Sequence, residues 1–172
     1  MGEIRRIHII GGPGSGKSYA ARKLSSILNI KWYDLDDLYW HKKDKAFTKK
    51  TSEKQRNAEA SKIAKKDSWI VEGAYTRKWV SPFVSKSDLI IILNPGTFTR
   101  AFRIAKRSLK RQFQKGRKES LAMFIELIRY NHQYDKRNLV RGEKLIKHLK
   151  KYAKYFNKAD KAIKYILELK KN

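Results

Sequence analysis

A glycine-rich segment near the amino terminus has the residue types and spacing that hold nucleotide phosphates. Gly11 to Ser18 reads Gly-Gly-Pro-Gly-Ser-Gly-Lys-Ser, which fits the pattern of a glycine, four residues and then Gly-Lys-Ser. Glycines allow a turn whose backbone N–H groups point at an anion, Lys17 would reach the β- and γ-phosphates, and the Ser18 hydroxyl would bind Mg²⁺. The predicted nucleotide-binding residues are Gly11, Gly12, Pro13, Gly14, Ser15, Gly16, Lys17, Ser18 and Tyr19.

Two carboxylates follow the next predicted strand. Asp34 and Asp36 are two residues apart, so they lie on the same side of an extended chain. One can serve the magnesium ion or its water shell, and the other can orient, or take a proton from, a substrate hydroxyl. Turn and helix-cap chemistry is the alternative, and it suits Asp37 equally well. Asn94 stands where a second acidic metal ligand is expected, so we predict Ser18 and Asp34 as the metal site.

A basic segment supplies candidate residues for stabilising transferred charge. Arg100, Arg103, Arg107 and Arg111 are three or four residues apart, which predicts a stripe on one face of a helix. Guanidinium groups in this arrangement can neutralise a phosphoryl group in transfer if the segment, a predicted lid at about 107–120, closes over the nucleotide. Solvated surface is the alternative for some of them. We predict Arg103 and Arg107, together with Lys17, Asp34 and Asp36, as catalytic.

Alternating strand and helix patterns position these residues. Predicted strands cover Ile7–Ile10, 31–35, Trp69–Val71, Leu89–Leu93 and the region of Tyr155 and Phe156. Apolar residues at helical spacing recur at Phe98, Ala101, Phe102, Ala105 and Leu109, then at Leu121, Phe124, Ile125 and Ile128, and Asp160 is the expected cap of a last helix. We predict one α/β domain over 1–172, with a parallel sheet covered on both faces and the candidate residues along one sheet edge.

Composition narrows the class of protein. The 172 residues include 42 Lys or Arg and 16 Asp or Glu, a net charge of +26 that favours phosphate-rich ligands and weak, salt-sensitive nucleic-acid binding. A solubilising surface is the alternative. The absence of cysteine excludes disulfides and thiol-bound metals and fits a reducing cytoplasm. We expect no secretion signal and no membrane insertion, because apolar runs are short, and we expect a monomer or dimer.

Several strings together resemble a known family. The phosphate loop, the string from Asp34 to Trp40, the string from Trp69 to Tyr75 and the helix with Arg103 and Arg107 resemble the small adenylate-kinase-like proteins called "DNA topology modulation proteins". The resemblance runs from about Ile7 to Arg111. It implies a P-loop fold of the nucleoside-monophosphate-kinase type, with a five-stranded parallel sheet, an acceptor region at about 37–68 and a basic lid.

The resemblance also implies roles for single residues. The fold is similar to those of shikimate and gluconate kinases, in which an Asp at the position of Asp34 supports magnesium and an Asp at Asp36 meets the acceptor. A glycine at Gly73 lines the acceptor site, and we add Tyr75 to that site. The chain departs from the family where Glu72 and Asn94 stand in place of Asp, and Ala74 in place of Asn.

These observations predict an ATP- and Mg²⁺-dependent phosphotransferase with a small acceptor, either a nucleotide or a hydroxylated metabolite. ATP is expected over GTP, although residues 157–160 read Asn-Lys-Ala-Asp, the form of string that GTPases use for guanine. Aromatic residues near Asp34 either line the acceptor pocket or belong to the core: Trp32, Tyr33, Tyr39, Trp40 and Phe47. Two alternatives stay open, a nucleotide-dependent nucleic-acid-associated protein or polynucleotide end kinase, and a nucleotide-binding regulatory module without transfer.

Overall fold

A five-stranded parallel sheet lies at the centre of the chain, in a computed structural model that describes residues 3–41, 49–112 and 121–170. The strands are β1 (Arg6–Gly11), β2 (Trp32–Asp34), β3 (Trp69–Gly73), β4 (Leu89–Leu93) and β5 (Ala153–Phe156). Their spatial order is β2-β3-β1-β4-β5, and every neighbouring pair is parallel. The predicted fold class is confirmed, and the carboxyl ends of all five strands open onto one edge.

Helices cover both faces of this sheet. They are α1 (Lys17–Leu28), α2 (Asp36–Tyr39), α3 (Glu53–Ala64), α4 (Ser81–Lys86), α5 (Thr97–Gln112), α6 (Leu121–Tyr134), α7 (Val140–His148) and α8 (Ala159–Leu169). A 3₁₀ turn (Lys78–Val80) precedes α4, and a π-helical turn (Asp135–Leu139) joins α6 to α7. Among the described residues, no helix combines the length and the apolar character needed to cross a bilayer.

The central strands are buried on both faces, which explains their continuous apolar sequence. Ile7 and Ile9 of β1 pack with α1 and α8, whereas Ile10 packs on the opposite face with residues of α4 and α7. His8 also lies on that second face, fully buried, with its ring 6.2 Å from the ring of Phe83. Alternate residues of β1 therefore pack into two separate cores, one on each face of the sheet.

Helix α5 turns its apolar stripe outward, contrary to the usual expectation for such a stripe. Phe98 is 92% exposed, Phe102 70% and Leu109 59%. The buried positions are instead Arg100, Ile104 and Ser108, on the other side of the helix. The basic stripe is thus divided between the core and the surface, because the buried guanidinium finds polar partners inside.

Two other helices differ from their predicted patterns. Ile125 in α6 is 43% exposed, while Asn131 and Tyr134, which lie outside the predicted stripe, are buried. Helix α8 begins at Ala159, so Asp160 lies in its first turn and is not the cap. An acidic residue there still suits the positive end of the helix dipole.

Candidate active site

The phosphate loop joins β1 to α1 with two glycines in the left-handed region. Gly14 has a φ of 74° and Gly16 a φ of 95°, conformations that other residues adopt at a cost. The Ser15 N–H donates to the Gly12 carbonyl at 3.2 Å and closes the turn. The N-cap of α1 is Gly16, which has no side chain to cap the helix, so the free N–H groups of its first turn and its positive end face the loop. The loop therefore has the backbone of an anion site.

Lys17 meets a buried carboxylate at the loop. Glu72 lies near the end of β3, beside β1, and is fully buried. The Lys17 Nζ is 3.8 Å from Glu72 Oε2. Neither carboxylate oxygen of Glu72 accepts a hydrogen bond from any described residue. A buried carboxylate without hydrogen bonds is costly, so this position calls for a cation.

Asp34 is the second carboxylate at this position. It ends β2 directly beside Glu72 in the parallel register, and its Oδ1 accepts from the Asp36 N–H at 2.8 Å. Burial first, and then the negative charges of Glu72 and Asp36, raise the pKa of the Asp34 carboxyl to about 7. Two carboxylates crowded at one strand edge attract a divalent cation.

The donor set suits magnesium shared with a nucleotide. Ser18, Asp34 and Glu72 offer hard oxygen atoms, and the hydrogen-bond capacity of Glu72 is unused. Among the described residues, no group of three or more His, Cys, Asp or Glu side chains could hold a metal by itself. Magnesium characteristically keeps waters and takes further ligands from phosphates, so a site with few protein ligands fits it.

Asp36 and Tyr75 form the candidate acceptor side. Asp36 begins α2, and the Tyr75 hydroxyl donates to Asp36 Oδ1 at 2.6 Å. The Tyr39 ring stacks on the Tyr75 ring with centroids 4.7 Å apart. Burial, reinforced by the charge of Asp36, raises the pKa of Tyr75, so its hydroxyl keeps its proton and remains a donor. A carboxylate beside aromatic walls can orient a hydroxyl and take its proton.

The two predicted lid arginines lie on the same helix in different settings. Arg103 donates from its terminal nitrogen to the carbonyl of Gly14 at 3.2 Å and to that of Ser15 at 3.3 Å. Arg107 is exposed on α5, one turn further on. The structure thus brings Arg103 to the phosphate loop. Most of the predicted lid, 113–120, lies outside the described residues.

Of the other predicted residues, Gly73 and Trp32 pack against the core and Tyr19 forms a hydrogen bond at the surface. A Cβ at Gly73 would lie 2.8 Å from Leu35 side-chain atoms, so close packing requires glycine there. Tyr19 is 45% exposed and donates to Asp160 Oδ1 at 2.8 Å. Trp32 packs against the core below α1 and α8. Phe47, with the rest of 42–48 in the predicted acceptor region, lies outside the described residues.

The roles of Glu72 and Arg100 differ from what the sequence predicted. Glu72 was expected at the ligand edge of the sheet and as a departure from a family pattern, without a role of its own, although a strand that ends in Glu-Gly at that edge is a usable signal. Arg100 was predicted as one of the charge-stabilising arginines, and it is buried instead. Asn94, expected to replace a metal ligand, accepts a hydrogen bond from the Arg100 guanidinium. Both β3 and β4 flank β1, so either strand could place an acidic residue at the loop. In this chain β3 does so, with Glu72, whereas Asn94 after β4 binds Arg100.

Solved structures of small kinases are similar to this chain. A shikimate kinase from Bacteroides thetaiotaomicron matches with a TM-score of 0.64 and 15% identity, covering 98% of this chain and 99% of that one. The fold is that of the small P-loop kinases. A shikimate kinase from Acinetobacter baumannii in complex with shikimate gives a TM-score of 0.58 and 16% identity, covering 96% of this chain and 92% of that one.

A gluconokinase from Sinorhizobium meliloti extends the comparison. It matches with a TM-score of 0.57 and 14% identity, over 98% of this chain and 94% of that one. Neither the protein-family models nor the curated proteins give a match. Identities this low establish the fold, and the resemblance to DNA topology modulation proteins stays a prediction.

Proposed function

We propose that this chain is an ATP- and Mg²⁺-dependent phosphotransferase whose acceptor is a small hydroxylated molecule. The observation that carries the proposal is the row of carboxylates at the phosphate loop. Asp34 and Glu72 face Lys17, and Asp36 follows with a tyrosine hydroxyl on its carboxylate. A loop that only binds nucleotide has no need for the third carboxylate and its aromatic neighbours.

On the nucleotide side, the chain supplies positive charge and backbone donors. The N–H groups of the loop and the start of α1 hold the phosphates, and Lys17 moves from Glu72 to the β- and γ-phosphates. Mg²⁺, when bound, neutralises the phosphate oxygens and links them to the protein. Ser18, Asp34 and Glu72 would hold it, directly or through water.

On the acceptor side, Asp36 acts as the base. Its carboxylate takes the proton from the acceptor hydroxyl while that oxygen forms a bond to the γ-phosphorus. The bond from the γ-phosphorus to the β–γ bridging oxygen breaks, and ADP leaves with the electron pair. Tyr75 holds Asp36 in place, and Arg103 and Arg107 stabilise the charge on the transferred group.

The test pairs two lysines of helix α1. Lys17→Ala removes the proposed phosphate contact, while Lys23→Ala removes a lysine that lies 3.6 Å from Asp160 at the surface. Purified proteins are incubated with γ-labelled ATP, Mg²⁺ and a panel of sugar acids, cyclic hydroxy acids and nucleoside monophosphates. We expect transfer by the native protein and by Lys23→Ala, and a loss of at least about 100-fold in Lys17→Ala.

Transfer by Lys17→Ala at the native rate would refute this assignment. If every acceptor stays unlabelled while Mg·ATP binds tightly, the chain is a nucleotide-binding regulatory module. Transfer to a nucleoside monophosphate and to no hydroxy acid would make Asp36 an orienting group, since a phosphate acceptor brings no alcohol proton.

A second candidate is a nucleic-acid acceptor, and helix α5 favours it. Six of its 16 residues are Lys or Arg and none is acidic, and two exposed phenylalanines lie among them. Basic residues beside exposed rings suit single strands, whose bases stack on aromatic side chains. A 5′-hydroxyl oligonucleotide therefore belongs in the acceptor panel. Binding that disappears at moderate salt without labelling indicates only charge attraction.

A further inference from the structure

Arg100 is a fully buried arginine that the proposed chemistry does not use. It lies in the first turn of α5 with no exposed surface. Its guanidinium donates to Asn131 Oδ1 at 2.7 Å, Asp135 Oδ2 at 2.9 Å, Thr97 Oγ1 at 3.3 Å, the Asn131 carbonyl at 3.4 Å and, at short range, Asn94 Oδ1. One side chain thus joins the end of β4 to α6 and to the π-helical turn.

The phosphate loop packs against Arg100 and Tyr134. A Cβ at Gly14 would lie 2.5 Å from the Arg100 carbonyl oxygen, so the loop backbone touches the backbone of α5. A Cβ at Gly12 would lie 3.0 Å from the ring of Tyr134. The Arg100 guanidinium is itself 5.7 Å from the centroid of that ring. Two loop glycines therefore pack against one Arg–Tyr pair.

The contacts of Arg100 with α6 and the π-helical turn also lead toward the acceptor side. Asn131 follows Tyr130 in α6, and the Asn138 amide in the π-helical turn donates to the Tyr130 hydroxyl at 2.8 Å. Burial first, and then the negative charge of nearby Asp36, raise the pKa of Tyr130 to about 12. On α5 itself, the turn after Arg100 places Arg103 on the loop carbonyls. Arg100 thus lies where the two halves of the site meet.

Stability alone does not explain a buried guanidinium at this position. Among the described residues it has one carboxylate partner, Asp135, and its other hydrogen-bond partners are neutral. Burying such a pair costs desolvation energy, which the attraction between its two charges offsets only in part. Replacing a buried ion pair with apolar residues therefore often leaves the stability unchanged. A planar group with fixed donor directions does, however, hold several elements at defined angles.

We propose that Arg100 is a positioning residue that fixes the phosphate loop against α6 and so sets the loop's distance from the acceptor side. This inference rests on the proposed function of the same site. Arg100 touches no substrate and acts through the backbone at Gly14 and the ring at Gly12. Lysine cannot replace it, because one ammonium group cannot reach Asn94, Asn131 and Asp135 together.

The test uses Arg100→Met and Arg100→Lys, with Arg6→Met as the matched control. Arg6 also pairs with a carboxylate, Asp88 at 2.9 Å, but at the opposite end of β1. Two measurements are made: the affinity for Mg·ADP by calorimetry, and amide hydrogen exchange in the nucleotide-free protein. We expect both Arg100 variants to bind Mg·ADP about tenfold more weakly, about 1.4 kcal/mol, and Arg6→Met to bind like the native protein.

Hydrogen exchange separates positioning from general loosening. We expect the backbone amides of Gly12, Gly14, Ser15 and Gly16, above all the hydrogen-bonded Ser15 N–H, to exchange at least about tenfold faster in both Arg100 variants. Protection of β5 and α8 should stay native. If Arg100→Met does not fold, Asp135→Ala gives a second test, because it keeps Arg100 and removes one of the acceptors that hold its guanidinium.

Native Mg·ADP affinity in the Arg100 variants, or loss of protection spread evenly over the sheet, would overturn the inference. Failure of the native protein to bind Mg·ADP would contradict the proposed function instead. The exchange measurement still decides the inference in that case, because it needs no nucleotide.

Discussion

Asp34 offers the sharpest test of the candidate site, because its charge is destabilising in the folded chain without a cation. The pKa of Asp34 is about 7, compared with an ordinary value of 3.8. The substitution Asp34→Asn keeps the shape and the oxygen that accepts from the Asp36 N–H, and it removes only the charge. We therefore expect the variant to lose a pH dependence of stability that the native protein has.

The sign and size follow from proton linkage. The folded chain binds the Asp34 proton more tightly than the unfolded chain, so protonation stabilises the fold, and this stability is lost as pH rises from the ordinary pKa through the folded one. A shift of about 3 units corresponds to about 4 kcal/mol in all. About 2 kcal/mol of this is lost between about pH 5.5 and about pH 8.

The assay is urea unfolding of both proteins at the two pH values, without Mg²⁺ or nucleotide. Titrating groups away from Asp34, His8 above all, contribute equally to both proteins and cancel when the two pH differences are subtracted. We expect the variant to gain about 2 kcal/mol over the native protein on going from low to high pH. Asp37→Asn, at an exposed neighbouring carboxylate, is the control and should keep the native dependence. Equal pH differences in the native protein and in Asp34→Asn would refute the reasoning.

Three further predictions concern the loop and the core. His8 is buried with a pKa of about 3, so stability falls as pH drops below about 6.5, and His8→Leu should remove about 1.4 kcal/mol of that loss at about pH 5.5 in urea unfolding. Gly14→Ala should cost at least about 1 kcal/mol and weaken Mg·ADP binding in calorimetry, because φ is 74° and the Arg100 carbonyl occupies the space. Glu72→Gln should weaken nucleotide binding in the presence of Mg²⁺. Without Mg²⁺ the affinity for nucleotide should be unchanged or higher, because Lys17 loses its carboxylate partner and is free to meet the phosphates. Equal weakening under both conditions would contradict this prediction.

The fold was predictable because its strongest signals are local. Ile7–Ile10 and Leu89–Leu93 are apolar runs bounded by glycine, proline or charge, and both became central parallel strands. The strand predicted near Tyr155 was also confirmed. In each case a short run of residues decides the structure without help from distant parts of the chain.

The patterns that failed depend on contacts between distant residues. The stripe of Phe98 and Phe102 has the spacing of a core face, yet both rings are exposed. What decides the rotation of α5 is Arg100, whose partners Asn131 and Asp135 lie more than 30 positions along the chain. A helical spacing identifies a face but cannot tell which face finds partners inside.

The candidate site shows the same limit. Lys17 and Asp34 were identified from motif and spacing, whereas Glu72 needed the strand order, because only its place between β1 and β2 brings it to both. Tyr75 and Asp36 were both predicted for the acceptor site, but their hydrogen bond joins residues 39 positions apart and no local pattern indicates it. Residues that carry a local motif could be predicted, whereas the contacts between them, and the role of Glu72, could not.

The charges at the loop also explain why magnesium belongs to this proposal. The chain as a whole carries a net charge of +26, which draws any polyphosphate toward it. At the loop itself, however, Asp34, Asp36 and Glu72 gather beside Lys17. In the proposed function, free ATP would be repelled by these carboxylates, and Mg²⁺ held by them would offset that repulsion. We therefore expect the basic surface to attract phosphates in general, and the carboxylates at the loop to favour the metal-bound form.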